Sequence, residues 1–150
     1  MEQPVLPAST GKAWARLVRA HRAVTTRIEA DLKAAGLPPL VWYDVLLELG
    51  RAGDGRLAPA ELERALLFAQ YSVSRLVDRM AAQGLVRREP HPCDARRQLV
   101  AVTEDGRALR ERMWPTYAAA IERHLGTKLP GERAGLLASL LARLLPAADG

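Results

Sequence analysis

A mainly α-helical fold carrying one small β-hairpin is what this sequence predicts, and three observations predict it. Apolar residues recur at three- and four-residue intervals through most of the chain, the spacing that gathers them on one face of a helix. Aromatic residues make up only 5% of a chain that is 49% hydrophobic, so Ala and Leu supply most of the apolar surface, as helices favour. Only "LVRRE" and "QLVAVT" read as strands, and the prolines of "PHPCDARR" between them make a regular helix there unfavourable and a hairpin the natural connection. The 150 residues are one domain's worth of chain, enough for a real but modest core.

The elements follow in order. From Gly11 to Ala35, Trp14, Leu17, Val18, His21, Val24, Ile28 and Leu32 mark a long amphipathic helix, and Gly36 is its natural stop. After Pro38 and Pro39, "LVWYDVLLELGRA" is an apolar helix of about three turns. The glycines and Asp54 of "RAGDGRL" predict a turn. Pro59 and Glu61 suit the first turn of a short helix in "LAPAELERALLFAQ". "QYSVSRLVDRMAAQG" then places Val73, Leu76, Val77 and Met80 on one stripe, with Gly84 as the C-cap. Two short helices joined by a brief turn near residues 67–70 form a helix-turn-helix candidate. Followed directly by a basic hairpin, they read as a winged helix.

Thr103 caps a further helix whose first turn carries Glu104 and Asp105, with a kink expected at Pro115. Pro130 opens a last helix with a broad stripe of Leu136, Leu137, Leu140, Leu141, Leu144 and Leu145. That stripe needs a partner surface larger than a small winged helix offers.

The formal charge of +5 and an isoelectric point near 10 invite a polyanionic partner. Only Lys12, Lys33 and Lys128 are lysines, and arginine and alanine both follow from GC-rich coding, so the placement of the arginines says more than their number. Four of them, Arg87, Arg88, Arg96 and Arg97, fall within the hairpin segment. The single cysteine, Cys93, excludes an intramolecular disulfide and fits a reducing compartment. "MEQPVLPASTGKAW" lacks the basic-then-apolar order of a signal peptide, and no apolar run approaches the ~18 residues of a membrane span. A cytoplasmic protein is expected.

With these pieces in order, the chain resembles the MarR family of bacterial winged helix-turn-helix transcriptional regulators. The matching segments are "LVWYDVLLEL", "YSVSRLVDRMAAQGLVRRE", "CDARRQLVAVTEDG" and the helical tail, about residues 11–146 in all. The chain departs from the family's pattern at Leu67 and Ala69, where Gly and Ser are frequent. The resemblance implies a single MarR-like domain over residues 1–150, with residues 37–103 as the winged helix-turn-helix. Residues 11–35 and 104–146 would be the dimerisation helices of a homodimer, which gives the leucine stripe its partner. It further implies double-stranded DNA as partner, through a pseudo-palindromic operator, and, by family tendency, repression as the role. A small-molecule effector, aromatic or phenolic, or an oxidant commonly weakens the grip of such proteins on DNA.

The second helix of a helix-turn-helix lies in the major groove with its N-terminal residues at the base edges. In the recognition helix, about residues 70–83, Gln70, Tyr71, Ser72 and Ser74 hold those places. Arg75, one turn in, reaches a base or a phosphate, and Arg79 meets phosphate. In the wing, residues 88–98, Asp94 and Arg96 match the family's D-x-R signature. By that resemblance Arg96 enters the minor groove and Asp94 orients basic side chains. Arg97, with Arg87 or Arg88, meets the backbone. The bland alternative is a solvated hairpin whose arginines pair with Glu89 and Asp94.

Cys93 beside His91, Arg96 and Arg97 is the candidate for a thiol redox sensor, although the family's oxidant sensors generally place the reactive cysteine in the first helix. A winged-helix protein-interaction module is a further alternative. Trp14, His21, Trp42 and Tyr43 are candidate walls of a ligand pocket, a description that ordinary core fits equally well. His21, His91 and His124 share no metal-site spacing with one another or with Cys93, so no metal or cofactor is expected. G-x-S-x-G, Walker and H-E-x-x-H motifs are all absent, and an enzyme is not expected.

Overall fold

The computed structural model of the chain describes residues 3–68 and 72–147. It divides into two compact units, Leu32–Tyr117 and Met1–Asp31 with Ala118–Gly150.

The first of these units holds the winged helix. Helix α1 (Ala8–Ala34) enters it at Leu32 and stops at Gly36, whose φ of 71° only glycine adopts without strain. Gly36 N–H bonds the Lys33 carbonyl and Leu37 N–H that of Leu32, the paired bonds of a Schellman cap. Helix α2 (Leu40–Arg51) follows Pro39 and buries Leu40, Trp42, Tyr43, Val45, Leu46 and Leu49 together with one acid, Asp44. Helix α3 (Pro59–Ala65) carries Pro59 in its first turn, where a missing N–H is harmless. Helix α4 (Val73–Ala82) buries Val73, Leu76, Val77 and Met80, the i, i+3, i+4, i+7 set expected of it. Its end repeats the Schellman pattern: Gly84 N–H bonds Ala81 and Leu85 N–H bonds Met80.

The sheet corrects the sequence reading in two ways. Within "RAGDGRL" lies a strand, β1 (Arg56–Leu57), which pairs antiparallel with β3 and sets the strand order β1-β3-β2. Two residues show no alternation to read. The strand is shaped from outside, by Gly55 at φ 72° and by the Arg56 N–H donating to Asp54 Oδ1 at 3.1 Å. The hairpin is also longer and tighter than expected, with β2 at Val86–His91 and β3 at Asp94–Val102. Only Pro92 and Cys93 separate the strands, and Pro90 is accommodated in β2 next to a break in register. Pairing passes from Pro90↔Gln98 to His91↔Asp94, so Ala95, Arg96 and Arg97 stand opposite no β2 residue.

Helix α5 (Glu104–His124) starts where expected and runs through Pro115 as one helix. Thr103 Oγ1 accepts from Gly106 N–H at 3.1 Å and donates to the Gly84 carbonyl at 2.6 Å, tying the start of α5 to the end of α4. Gly106 packs so closely that a Cβ there would collide with the Leu85 carbonyl. Tyr43 stacks on Trp114 at 5.9 Å and meets Tyr117 edge-on at 5.0 Å, and burial pushes the Tyr43 phenol pKa up.

The second unit takes α1 up to Asp31, α5 from Ala118, a 3-10 turn at Gly126–Lys128, and α6 (Arg133–Ala142). Helix α1 begins at Ala8, about a turn before the expected start at Gly11. Asp31 Oδ2 joins α1 to the end of α5 through His124 Nε2 at 2.8 Å and Arg123 at 3.0 Å. Helix α6 buries none of its residues, and Leu136, Leu140, Leu144 and Leu145 are more than half exposed. No helix among the described residues is long and apolar enough to cross a membrane.

Candidate nucleic-acid interface

Helix α4 and the hairpin place the charged residues. Ser72 caps α4, its Oγ accepting from Arg75 N–H at 3.2 Å, so the helix begins at Val73 and not near residue 70. With the apolar stripe turned inward, Ser74, Arg75, Asp78 and Arg79 are left exposed. Gln70 and Tyr71 lie outside the described residues.

Arg88 and Arg87 are both occupied by the protein's own acceptors. From β2, Arg88 reaches α4, donating to Asp78 Oδ1 at 2.9 and 3.2 Å and to the Ser74 carbonyl and Oγ at 3.1 and 3.2 Å. It also meets Gln98 Oε1 at 3.4 Å, so a single guanidinium links both wing strands to α4. Arg87 pairs with Glu89 at 2.8 Å, and Glu89 pairs in turn with Arg56 of β1 at 2.6 Å. Hydrogen bonds from Arg56 and then Arg87 hold the Glu89 carboxyl below its ordinary pKa, and Glu89 raises that of Arg56. Half of the expected wing cations therefore have intramolecular carboxylate partners: Arg87 with Glu89 is a pairing the solvated-hairpin alternative named, whereas Arg88 pairs with Asp78 on α4 and not with Glu89 or Asp94.

Arg75 and Arg79 on α4, and Arg96 and Arg97 at the wing tip, differ. All four are exposed, and their guanidinium groups have no acceptor among the described residues. Asp94 acts on the backbone rather than on basic side chains: its Oδ1 accepts from Arg96 N–H at 3.0 Å. Together with Cys93 N–H donating to His91 Nδ1 at 3.1 Å, this braces the wing tip where ladder pairing is lost. Cys93 is exposed and free. Uncompensated guanidinium groups on a helix and on a braced loop tip can engage phosphate oxygens and base-edge acceptors.

The model of the MarR family matches residues 35–97, the span holding α2, α3, α4, β2 and the first residues of β3. A MarR family transcriptional regulator from Streptomyces coelicolor, solved in complex with DNA, superposes with a TM-score of 0.84 at 25% identity, covering 99% of this chain and 96% of that one. The chain is similar to the MarR family of transcriptional regulators. Among MarR relatives, the multiple antibiotic resistance protein MarR of Salmonella typhimurium is 30% identical over 92 residues, 61% of this chain and 64% of that protein. The transcriptional repressor NicR of Pseudomonas putida is 35% identical over 83 residues, 55% of this chain and 52% of its own length. The chain thus spans less than two thirds of either relative.

The expected ligand-pocket residues separate. Trp14 and His21 line a groove of about 730 Å³ in the second unit, walled by Leu17, Val24, Leu137 and Leu140 among others. Trp42 and Tyr43 are instead core residues of the winged-helix unit. Among the described residues no group of three or more His, Cys, Asp or Glu could hold a metal ion.

Two features escaped the sequence reading: the Arg88 clamp on α4 and the buried Asp44. Asp44 left a signal, an acid within the otherwise apolar run "LVWYDVLL". Arg88 left none, since its neighbour Arg87 has the same composition around it and a different partner.

Proposed function

We propose that this MarR-like protein is a cytoplasmic, non-enzymatic repressor that binds a pseudo-palindromic operator as a homodimer. The observation that carries the reading is the pair of exposed cation sets without an acceptor among the described residues, Arg75 with Arg79 on α4 and Arg96 with Arg97 on the wing. Helix α4 enters the major groove, with Gln70, Tyr71, Ser72 and Ser74 toward base edges, Arg75 on a base or phosphate and Arg79 on phosphate. Arg96 enters the minor groove and Arg97 meets the backbone. Arg87 and Arg88 border the same surface, and Asp94 sets the wing tip through the Arg96 amide. Repression follows the name of the NicR relative.

Residues 1–150 act as one MarR-like domain, with 37–103 as the DNA-binding part. Residues 11–35 and 104–146 supply the dimer contacts, where the exposed leucines of α6 find their partner surface. A small aromatic or phenolic effector occupies the groove beside Trp14 and His21, whose apolar lining suits it. Kinship with transcriptional regulators favours this reading over a thiol sensor at Cys93 or a protein-interaction module.

Selection of bound duplexes from genomic fragments, followed by fluorescence anisotropy, tests the reading. A recovered inverted repeat with half-sites about 10 base pairs apart, bound by a dimer, is the expected outcome. Equal binding of selected and scrambled duplexes would refute it.

A further inference from the structure

Asp44 is 2% exposed, in the middle of the most apolar helix of the winged-helix unit. Burying a carboxylate is unfavourable unless hydrogen bonds compensate, and leucine in its place would bury without that penalty. The compensation comes from 23 residues downstream, where Leu67 N–H donates to Asp44 Oδ2 at 2.6 Å. The Phe68 amide also acts on the carboxyl group. Among the described residues the other oxygen, Oδ1, has no partner.

The place of Leu67 in the chain gives this bond its meaning. Helix α3 ends at Ala65, and Leu66 N–H makes the last helical bond, to the Leu62 carbonyl. Leu66 then turns to extended backbone at ψ 135°, so the next amides have left the helix that would have satisfied them. Asp44 takes over there. From Phe68 only a few residues lead to Ser72, the N-cap of α4. The carboxylate therefore anchors the connection between the two helices of the helix-turn-helix onto α2, close in sequence to the end of α4 that reads DNA. Leu67 itself is 71% exposed, so its own side chain supplies no comparable anchor.

We propose that Asp44 is a positioning residue for DNA recognition: by holding the backbone at Leu67 and Phe68 it fixes where α4 begins, without touching DNA itself. This rests on the DNA-binding reading above. Removing the anchor loosens the approach of Ser74 and Arg75 to base edges and leaves the exposed guanidinium charge unchanged. Specific binding suffers while non-specific binding does not.

The test uses the full chain and the variants Asp44→Leu and Asp44→Asn. Amide hydrogen exchange is followed at Leu67 and at the core residue Leu76, and affinity is measured for the selected operator and a scrambled duplex. In Asp44→Leu, exchange at Leu67 is expected to accelerate about tenfold or more, the scale of one lost charge-assisted hydrogen bond, while Leu76 stays as slow. Operator affinity falls by about the same factor, and scrambled duplex binds as before. Asp44→Asn keeps a neutral acceptor and falls between wild type and Asp44→Leu on both readouts. Should Asp44→Leu not fold, Asp44→Asn carries the test alone. Unchanged Leu67 exchange in the folded variants overturns the proposal, as does faster Leu67 exchange with wild-type operator affinity. If the wild type prefers no duplex, the DNA reading fails, and with it this role, while Leu67 exchange still reports whether the anchor exists.

Discussion

Replacing Arg96 and Arg97 together by alanine isolates the charge at the wing tip. Both side chains are exposed and neither guanidinium has an acceptor among the described residues, so the change breaks no internal ion pair. The bond from Arg96 N–H to Asp94 Oδ1 belongs to the backbone and survives. If each arginine neutralises one phosphate, the slope of log K against log salt becomes shallower by ~0.9 per residue, or ~1.8 for the pair. Between about 50 and about 200 mM salt, one contact corresponds to ~3.5-fold in affinity and two to ~12-fold. The double variant should therefore bind more weakly at low salt and lose ~12-fold less affinity across that range. Arg87→Ala provides the contrast, because Glu89 already holds that guanidinium at 2.8 Å and keeps Arg56 when it is gone. Its slope should change by less than half a contact, roughly 0.4. Fluorescence anisotropy across a salt series measures all three proteins. A wild-type slope in the double variant would refute the argument, and so would Arg87→Ala moving the slope as far as a single wing-tip substitution.

Three further outcomes follow from the packing. Gly106→Ala should destabilise by about 1–3 kcal/mol in urea denaturation, because the collision with the Leu85 carbonyl outweighs the ~1 kcal/mol that helix propensity favours; a stabilised variant would contradict the close approach. Thr103→Val removes both the cap on Gly106 and the bond to the Gly84 carbonyl, and should cost about 1–2 kcal/mol at an unchanged denaturant m value. Burial raises the Asp44 pKa, so the folded state binds this proton more tightly than the unfolded chain. Its contribution to stability is therefore most favourable below about pH 4 and declines as pH rises through the raised pKa. The stability of Asp44→Asn relative to wild type should accordingly increase from about pH 4 and level off above that pKa. Parallel stability curves for the two proteins would exclude the shift.

The sequence by itself determined the features that depend on near neighbours. The stripe of Val73, Leu76, Val77 and Met80, the stops at Gly36 and Gly84, and the Thr103 cap are each written within one or two helical turns, where periodicity and backbone conformation act. The tertiary structure decided what depends on distant partners. Two residues of β1 become a strand only because β3 lies alongside, and the wing loses its pairing at Ala95, Arg96 and Arg97 through a register that no local pattern encodes. The same holds for charge. Arg88 and Arg97 carry the same expectation in sequence, yet Arg88 meets Asp78 ten residues away while the Arg97 guanidinium meets no acceptor among the described residues. Arg56 finds Glu89 at a separation of 33 residues, and Asp44 finds Leu67 at 23. Coulomb attraction and hydrogen bonding fall off with distance in space, and chain separation says little about that distance until the fold has brought the partners together.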